Sequence, residues 1–255
     1  MGDLISKDVA NRILTLTINR PEKKNALTAS MYATLADAIT SADKDVKVRT
    51  ILVTGTADSF TAGNDLMDFL ENPPVSSSSP VFRFMHAIAG AKKPVVAAVN
   101  GLAIGIGTTM LLHCDIVYAA ESARFQLPFV NLGLVPELGS SLILPTLAGR
   151  TRAAEMLMFG DPFCAKKALD IGLINTVCSA DDLLLTARGG AEKLASKPPA
   201  ALRETKALLN MNVETIRARI DHEAKVFGER LNSPEVKESI AAFYEKRTPD
   251  FTTFE

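Results

Sequence analysis

Leu14, Leu16 and Ile18 alternate with Thr15 and Thr17, the period-two pattern of a half-buried strand, and Asn19-Arg20-Pro21 ends it. Thr28 stands where a helix cap belongs. Met31, Leu35, Ile39 and Ala42 then recur at helical spacing until Asp43-Lys44-Asp45 closes the run. Val48 to Val53 is rich in β-branched residues and stops at Gly55, which predicts a second strand. A short helix around Phe82 to Ile88, an apolar strand Pro94 to Val99, a glycine-bearing turn into a helix and a strand Asp115 to Ala119 continue a β-α-β rhythm. Beyond Ala180 the pattern is helical only: Asp181 to Leu194, Pro199 to Asn210, Val213 to Leu231, and a last helix that Ser233-Pro234-Glu235 starts and that runs to Arg247. An α/β core over residues 1–195, followed by a helical region over 196–255, is the expected plan.

Two stretches interrupt the rhythm. Glu71 to Pro80, ENPPVSSSSP, cannot continue a regular element and reads as a surface loop, either a lid or an inert connector. Gly101 to Cys114 is almost uncharged but too short to cross a bilayer, so it reads as a buried core helix.

Composition narrows the function classes. The chain has 255 residues, 47% of them hydrophobic, which is enough for one large domain with an appendage. A formal net charge of −1 with scattered lysines and arginines leaves no basic stripe for nucleic acid, so any anionic ligand must be held locally. Cys114, Cys164 and Cys178 form no CxxC pair and read as buried free thiols in a reducing compartment. His86, His113 and His222 lack metal-binding spacing, and no metal is expected. The opening MGDLISKD is no secretory signal, so the expected location is the cytoplasm.

Two glycine-bearing segments carry the candidate chemistry. Ser59 to Leu66, SFTAGNDL, follows the second strand, and Gly63 lets the backbone approach a ligand with the Asn64 N–H opening a short helix. Asn100 to Thr109, NGLAIGIGTT, follows the strand Pro94 to Val99, and Gly105 and Gly107 flank Ile106 at a helix start. A thioester enolate needs two backbone N–H groups aimed at one oxygen, which two such segments can supply together.

SFTAGNDL, KKPVVAAVNGLAIGIG, CDIVYAAESARFQLPFVNLGLVPELG and AEMLMFG stand in the order and at the intervals of the crotonase (enoyl-CoA hydratase/isomerase) superfamily, and the chain resembles that family from Arg12 to Arg247. The resemblance implies a spiral of ββα units with two roughly perpendicular sheets, a C-terminal helical region that drives formation of a homotrimer or a dimer of trimers, and acyl-CoA thioester substrates. Coenzyme A would be part of the substrate, with no separate cofactor. It also implies oxyanion-hole N–H groups at Asn64 and Ile106, with Gly63, Asp65, Leu66 and Gly105 around them. Lys24, Ala26 and Leu27, with Ala62, match the stretch that wraps the CoA adenine and pantetheine. Phe243 and Lys246 match a contact to CoA from a neighbouring subunit or domain.

The chain departs from the family's hydratases where the reaction is decided. Those enzymes place two glutamates where Thr109 and Phe129 stand here, and neither of these is a strong base at neutral pH. Glu137, in NLGLVPELGSS, falls where peroxisomal-type Δ3,Δ2-enoyl-CoA isomerases place a single catalytic glutamate, and its apolar neighbours should raise its pKa. Without the resemblance, Glu137 would be a loop carboxylate capping the helix that starts near Gly139. The rival readings are hydration by other groups and a non-catalytic acyl-CoA-binding protein. A dinucleotide-binding dehydrogenase is disfavoured, because Met110 occupies the third glycine position of GxGxxG.

Overall fold

The computed structural model describes residues 3–71, 78–210 and 212–254. Its N-terminal half comprises β1 (Ile5–Ala10), β2 (Ile13–Ile18), α1 (Ala29–Lys44), β3 (Thr50–Gly55), β4 (Ser59–Thr61), α2 (Leu66–Glu71), α3 (Pro80–Ala89), β5 (Val95–Val99), β6 (Leu102–Ile104) and α4 (Ile106–Thr109). There follow β7 (Ile116–Ala120), β8 (Arg124–Gln126), α5 (Ser140–Ala148), α6 (Arg150–Phe159), β9 (Phe163–Cys164), α7 (Ala165–Asp170), β10 (Thr176–Cys178), α8 (Ala180–Ala195), α9 (Pro199–Leu209), α10 (Val213–Leu231) and α11 (Pro234–Glu245).

From β3 to β8, strands that are consecutive in sequence alternate between two sheets. β3, β5, β7 and β10 join the β1-β2 hairpin in a six-stranded sheet ordered β1-β2-β3-β5-β7-β10, while β4, β6, β8 and β9 form a second sheet in that order. The pairs β3/β4, β5/β6 and β7/β8 therefore each step from the large sheet to the small one, which is the α/β crotonase-type spiral the motifs implied. Within the large sheet β2, β3, β5, β7 and β10 run parallel.

Helices cover both faces of that sheet, as a parallel sheet requires. On one side Leu14, Leu16, Ile51, Val53, Val95 and Ala97 meet the buried face of α1 and α3. On the other, Ile13, Leu52, Val96 and Ala98 meet Leu183, Ala187 and Ala191 of α8. The half-buried strand expected at Leu14 to Ile18 is thus buried on both sides, and Thr15 is only 8% exposed. The alternation of threonine and leucine misled because α8, distant in sequence, supplies the second cover.

The caps read from sequence hold. Thr28 accepts the Met31 N–H and Ser233 the Val236 N–H. The uncharged run from Gly101 to Cys114 is no continuous helix. Its glycines break it into β6, the single turn α4 and a 3-10 turn, Met110–His113. The cysteine reading also needs correction: Cys164 is exposed, and Cys114 and Cys178 are only partly buried. The proposed lid falls largely on residues 72–77, outside the described residues; beyond them Pro80 starts α3. Lys206 of α9 reaches beneath the large sheet, donating to Asp115 at 2.6 Å and to the Lys93 carbonyl at 2.9 Å, which ties the helical region to the core. Among the described residues no helix is long and apolar enough to cross a membrane.

Candidate active site

The first glycine segment is held by the loop that precedes α1. Asn25 is fully buried with φ 59, a left-handed conformation asparagine tolerates. Its Nδ2 donates to the carbonyls of Ser59 at 2.6 Å and Thr56 at 3.0 Å, and its Oδ1 accepts the Arg20 N–H. The Ala62 N–H donates to the Lys24 carbonyl. Leu27 then bridges the residues either side of Asn64, donating to the Gly63 carbonyl at 2.8 Å and accepting the Asp65 N–H at 2.9 Å. Because flanking residues make those bonds, the Asn64 N–H points away from Leu27. Asp65 binds Arg20 at 2.6 Å and accepts the N–H groups of Met67 and Asp68, which opens α2 next to Leu66.

The second segment lies against the first. Gly105, at φ 56, precedes Ile106, the first residue of α4, whose N–H has no acceptor within the helix. A β-carbon on Gly63, itself at φ +88, would stand 2.8 Å from the Ile104 carbonyl oxygen, and one on Gly107 2.9 Å from that of Thr61. Only glycines permit this approach of the two backbones. The β4–β6 pairing extends the contact, so Asn64 and Ile106 follow the ends of neighbouring parallel strands.

Glu137 sits beneath these segments and is 4% exposed. Its Oε1 accepts the Thr109 hydroxyl at 2.5 Å, while Oε2 is buried with no hydrogen-bond partner among the described residues. Glu137 and Asn64 line one small apolar chamber of about 20 Å³ with Phe69 of α2, Val81 and Met85 of α3, and Ile220 and Phe227 of α10. That is room for about one water molecule. Burial pushes the Glu137 carboxyl up to about 8, with Glu223 adding to the rise and Thr109 opposing it. Phe129 is buried and brings no titratable group. Thr109, at the position where the resemblance puts a glutamate in hydratases, is here a hydrogen-bond donor to Glu137.

A carboxyl held above its ordinary range binds its proton more tightly folded than unfolded. Its contribution to stability is complete below about 4.5 and is lost as pH rises through about 8, by roughly 5 kcal/mol at most. Urea unfolding at pH 5 and pH 9 should show wild type losing a few kcal/mol more than Glu137→Gln over that interval. Equal losses in the two proteins would mean that the carboxyl is hydrated and ionised.

Not every residue singled out in the sequence joins the chamber. Lys24 is exposed and pairs with Asp58 at 2.6 Å on the outer side of the loop; Ala26 and Ala62 are partly buried beside it. Phe243 is 61% exposed on α11, and Lys246 ends that helix in a left-handed turn at the surface. Among the described residues no three histidine, cysteine, aspartate or glutamate side chains gather as a metal site.

Three residues of the site escaped the sequence reading. Asn25 is one, and a polar residue that follows two loop lysines gives no signal of burial. Tyr32 is the second: it is 2% exposed on the apolar face of α1, and its hydroxyl donates to Asn64 Oδ1 at 2.5 Å. Burial and the nearby Glu137 and Asp68 raise its pKa well above the ordinary value. A tyrosine on a buried helix face needs a partner, and that signal could have been read. The third is Glu223 of α10, 5% exposed, which accepts the Gly139 N–H at 2.6 Å and the Ser141 N–H at 3.0 Å. Glu223 therefore caps α5, the duty that Glu137 would have had as an ordinary loop carboxylate.

The spiral, the paired glycine segments and the buried acid define a crotonase-type acyl-CoA enzyme, and comparison with known proteins agrees. The family model described as enoyl-CoA hydratase/isomerase matches residues 8–253. The 1,2-epoxyphenylacetyl-CoA isomerase of Escherichia coli (strain K12) is 36% identical over 262 residues, covering 99% of this chain and 99% of its own. The 2,3-dehydroadipyl-CoA hydratase of the same organism is 34% identical, covering 94% of this chain and 95% of its own. Among solved structures, an enoyl-CoA hydratase/isomerase from Pseudoalteromonas atlantica T6c superposes with a TM-score of 0.94 at 45% identity, covering 98% of this chain and 100% of that one. The chain belongs to the enoyl-CoA hydratase/isomerase family of the crotonase superfamily.

Proposed function

We propose that this enzyme is a Δ3,Δ2-enoyl-CoA isomerase in which Glu137 is the sole acid–base group. Glu137 takes a proton from C2 of a 3-enoyl-CoA. The electrons move into a dienolate whose oxygen is held by the N–H groups of Asn64 and Ile106, and Glu137 returns the proton to C4, leaving the double bond between C2 and C3. The observation that carries this reading is the carboxyl of Glu137, buried in an apolar chamber with one oxygen anchored by Thr109 and the other unpaired. With Thr109 and Phe129 in place of a glutamate pair, no second carboxyl lines the chamber among the described residues to activate a water from the opposite side.

The chamber is too small for an acyl chain as it stands, so substrate access requires α2, α3 or α10 to shift. Lys24 to Leu27, with Ala62, would hold the CoA moiety, and Phe243 and Lys246 would reach it from a neighbouring subunit. No cofactor beyond the CoA of the substrate is needed. Exposed Leu208, Leu209 and Phe243 fit burial in a homotrimer or a dimer of trimers, assembled in the cytoplasm through the 196–255 region. A hydratase relative favours a second reading, hydration of 2-enoyl-CoA. Purified protein offered 3-hexenoyl-CoA and crotonyl-CoA separately should isomerise the first and leave the second essentially unhydrated. Fast hydration of crotonyl-CoA with an unchanged 3-enoyl substrate would reverse the assignment, and binding without either reaction would indicate a non-catalytic acyl-CoA-binding protein.

A further inference from the structure

Glu137 reaches the chamber through an unusual turn. Leu138 has φ 56 and Gly139 φ 72, two consecutive left-handed residues between the acid and the first residue of α5. The left-handed region costs a leucine on the order of 1 kcal/mol, so the turn persists only where its surroundings fix it. Three groups do so. The Ser140 hydroxyl donates to the Glu137 carbonyl at 2.7 Å. His113, which burial lowers to about 4 and so keeps neutral, lies with Nε2 2.8 Å from the Leu138 carbonyl and donates to it. Glu223 supplies the rest. Its two carboxylate oxygens accept the N–H groups of Gly139 and Ser141 and the Ser141 hydroxyl.

Glu223 differs from the other two holds in where it comes from. It is carried by α10, more than eighty residues beyond the turn, and α10 also lines the chamber with Ile220 and Phe227. It is an acid close to another acid, and nothing in the proposed reaction uses it as a proton carrier. Every group bonded to it is a donor, which suits the ionised form. Burial raises its pKa, while those donors and Arg219 oppose the rise.

We propose that Glu223 is a positioning residue for the catalytic acid: from α10 it clamps the left-handed Leu138-Gly139 turn and so aims the Glu137 carboxyl into the chamber. This rests on Glu137 being the acid–base group. The charged and titratable groups that bear on the pair are Tyr32 from α1 and Arg219 from α10, with Thr109 from α4 as donor and His113 neutral beneath the turn.

The test is the titration of Glu137 itself, followed through its carboxyl infrared band with Glu137→Gln as the blank, in wild type and in Glu223→Gln. Kinetics with 3-hexenoyl-CoA are measured on the same samples. Glutamine keeps the size of the side chain and part of its hydrogen bonding, so folding is retained where Glu223→Ala would risk losing it. The Glu137 midpoint should fall once the neighbouring charge is removed. The kcat for 3-hexenoyl-CoA should fall about 10–100-fold with KM little changed, because a misplaced acid slows proton transfer without loosening CoA binding. A natively folded Glu223→Gln protein with the wild-type midpoint and wild-type kcat overturns the proposal. If wild type does not isomerise 3-hexenoyl-CoA yet the midpoint moves as stated, the clamp stands and the assigned reaction fails.

Discussion

Glu137→Gln is expected to lower kcat for 3-hexenoyl-CoA by roughly 10³-fold or more while leaving the affinity for CoA thioesters unchanged. Glutamine has the same shape, can still accept the Thr109 hydroxyl, and leaves the apolar walls in place. What it removes is the group that the proposed mechanism uses to carry a proton between C2 and C4. In wild type the same carboxyl sets the pH profile. Because the free enzyme holds it near about 8, kcat/KM should climb about tenfold per pH unit below that point and level off above it. Steady-state kinetics of both proteins from pH 5.5 to 9.5 checks the two statements together. A variant that keeps its turnover would place the base elsewhere.

Gly63→Ala should produce the next largest effect, a loss of roughly 10²–10³-fold in kcat, the usual cost of one oxyanion donor. The added methyl meets the Ile104 carbonyl oxygen at 2.8 Å in a backbone already at φ +88, so the chain must move. The segment that moves is the one presenting the Asn64 N–H, held on its other side by Leu27. A stability cost of about 1–3 kcal/mol should accompany the change, because alanine is strained at that φ. Chemical denaturation and kinetics on the folded variant separate the two effects. A stable Gly63→Ala enzyme with undiminished kcat would show that the Asn64 N–H is not needed.

The sequence disclosed the elements whose signals are local. The Thr28 and Ser233 caps, the β-branched strand ending at Gly55 and the four late helices depend on neighbours a few residues away. Thr15 was misjudged because α8, over 160 positions later, covers its face of the sheet. The run from Gly101 to Cys114 was misjudged because hydropathy registers burial and is blind to glycine-driven turns. At the site, Gly63, Gly105 and Glu137 stood out through motif order, and the chamber that surrounds Glu137 lay close to the expected apolar setting. Tyr32, Asn25 and Glu223 did not stand out. Their importance comes from contacts that span from about thirty to more than eighty positions, which no periodicity encodes.

Single-base transfer can be tested by following label. When 3-hexenoyl-CoA carrying deuterium at C2 is converted in ordinary water, one buried carboxyl serving both carbons should deliver part of that deuterium to C4 of 2-hexenoyl-CoA. A 3-hydroxyacyl product, or a 2-enoyl product with no deuterium at C4, would contradict a proton carried by Glu137 alone.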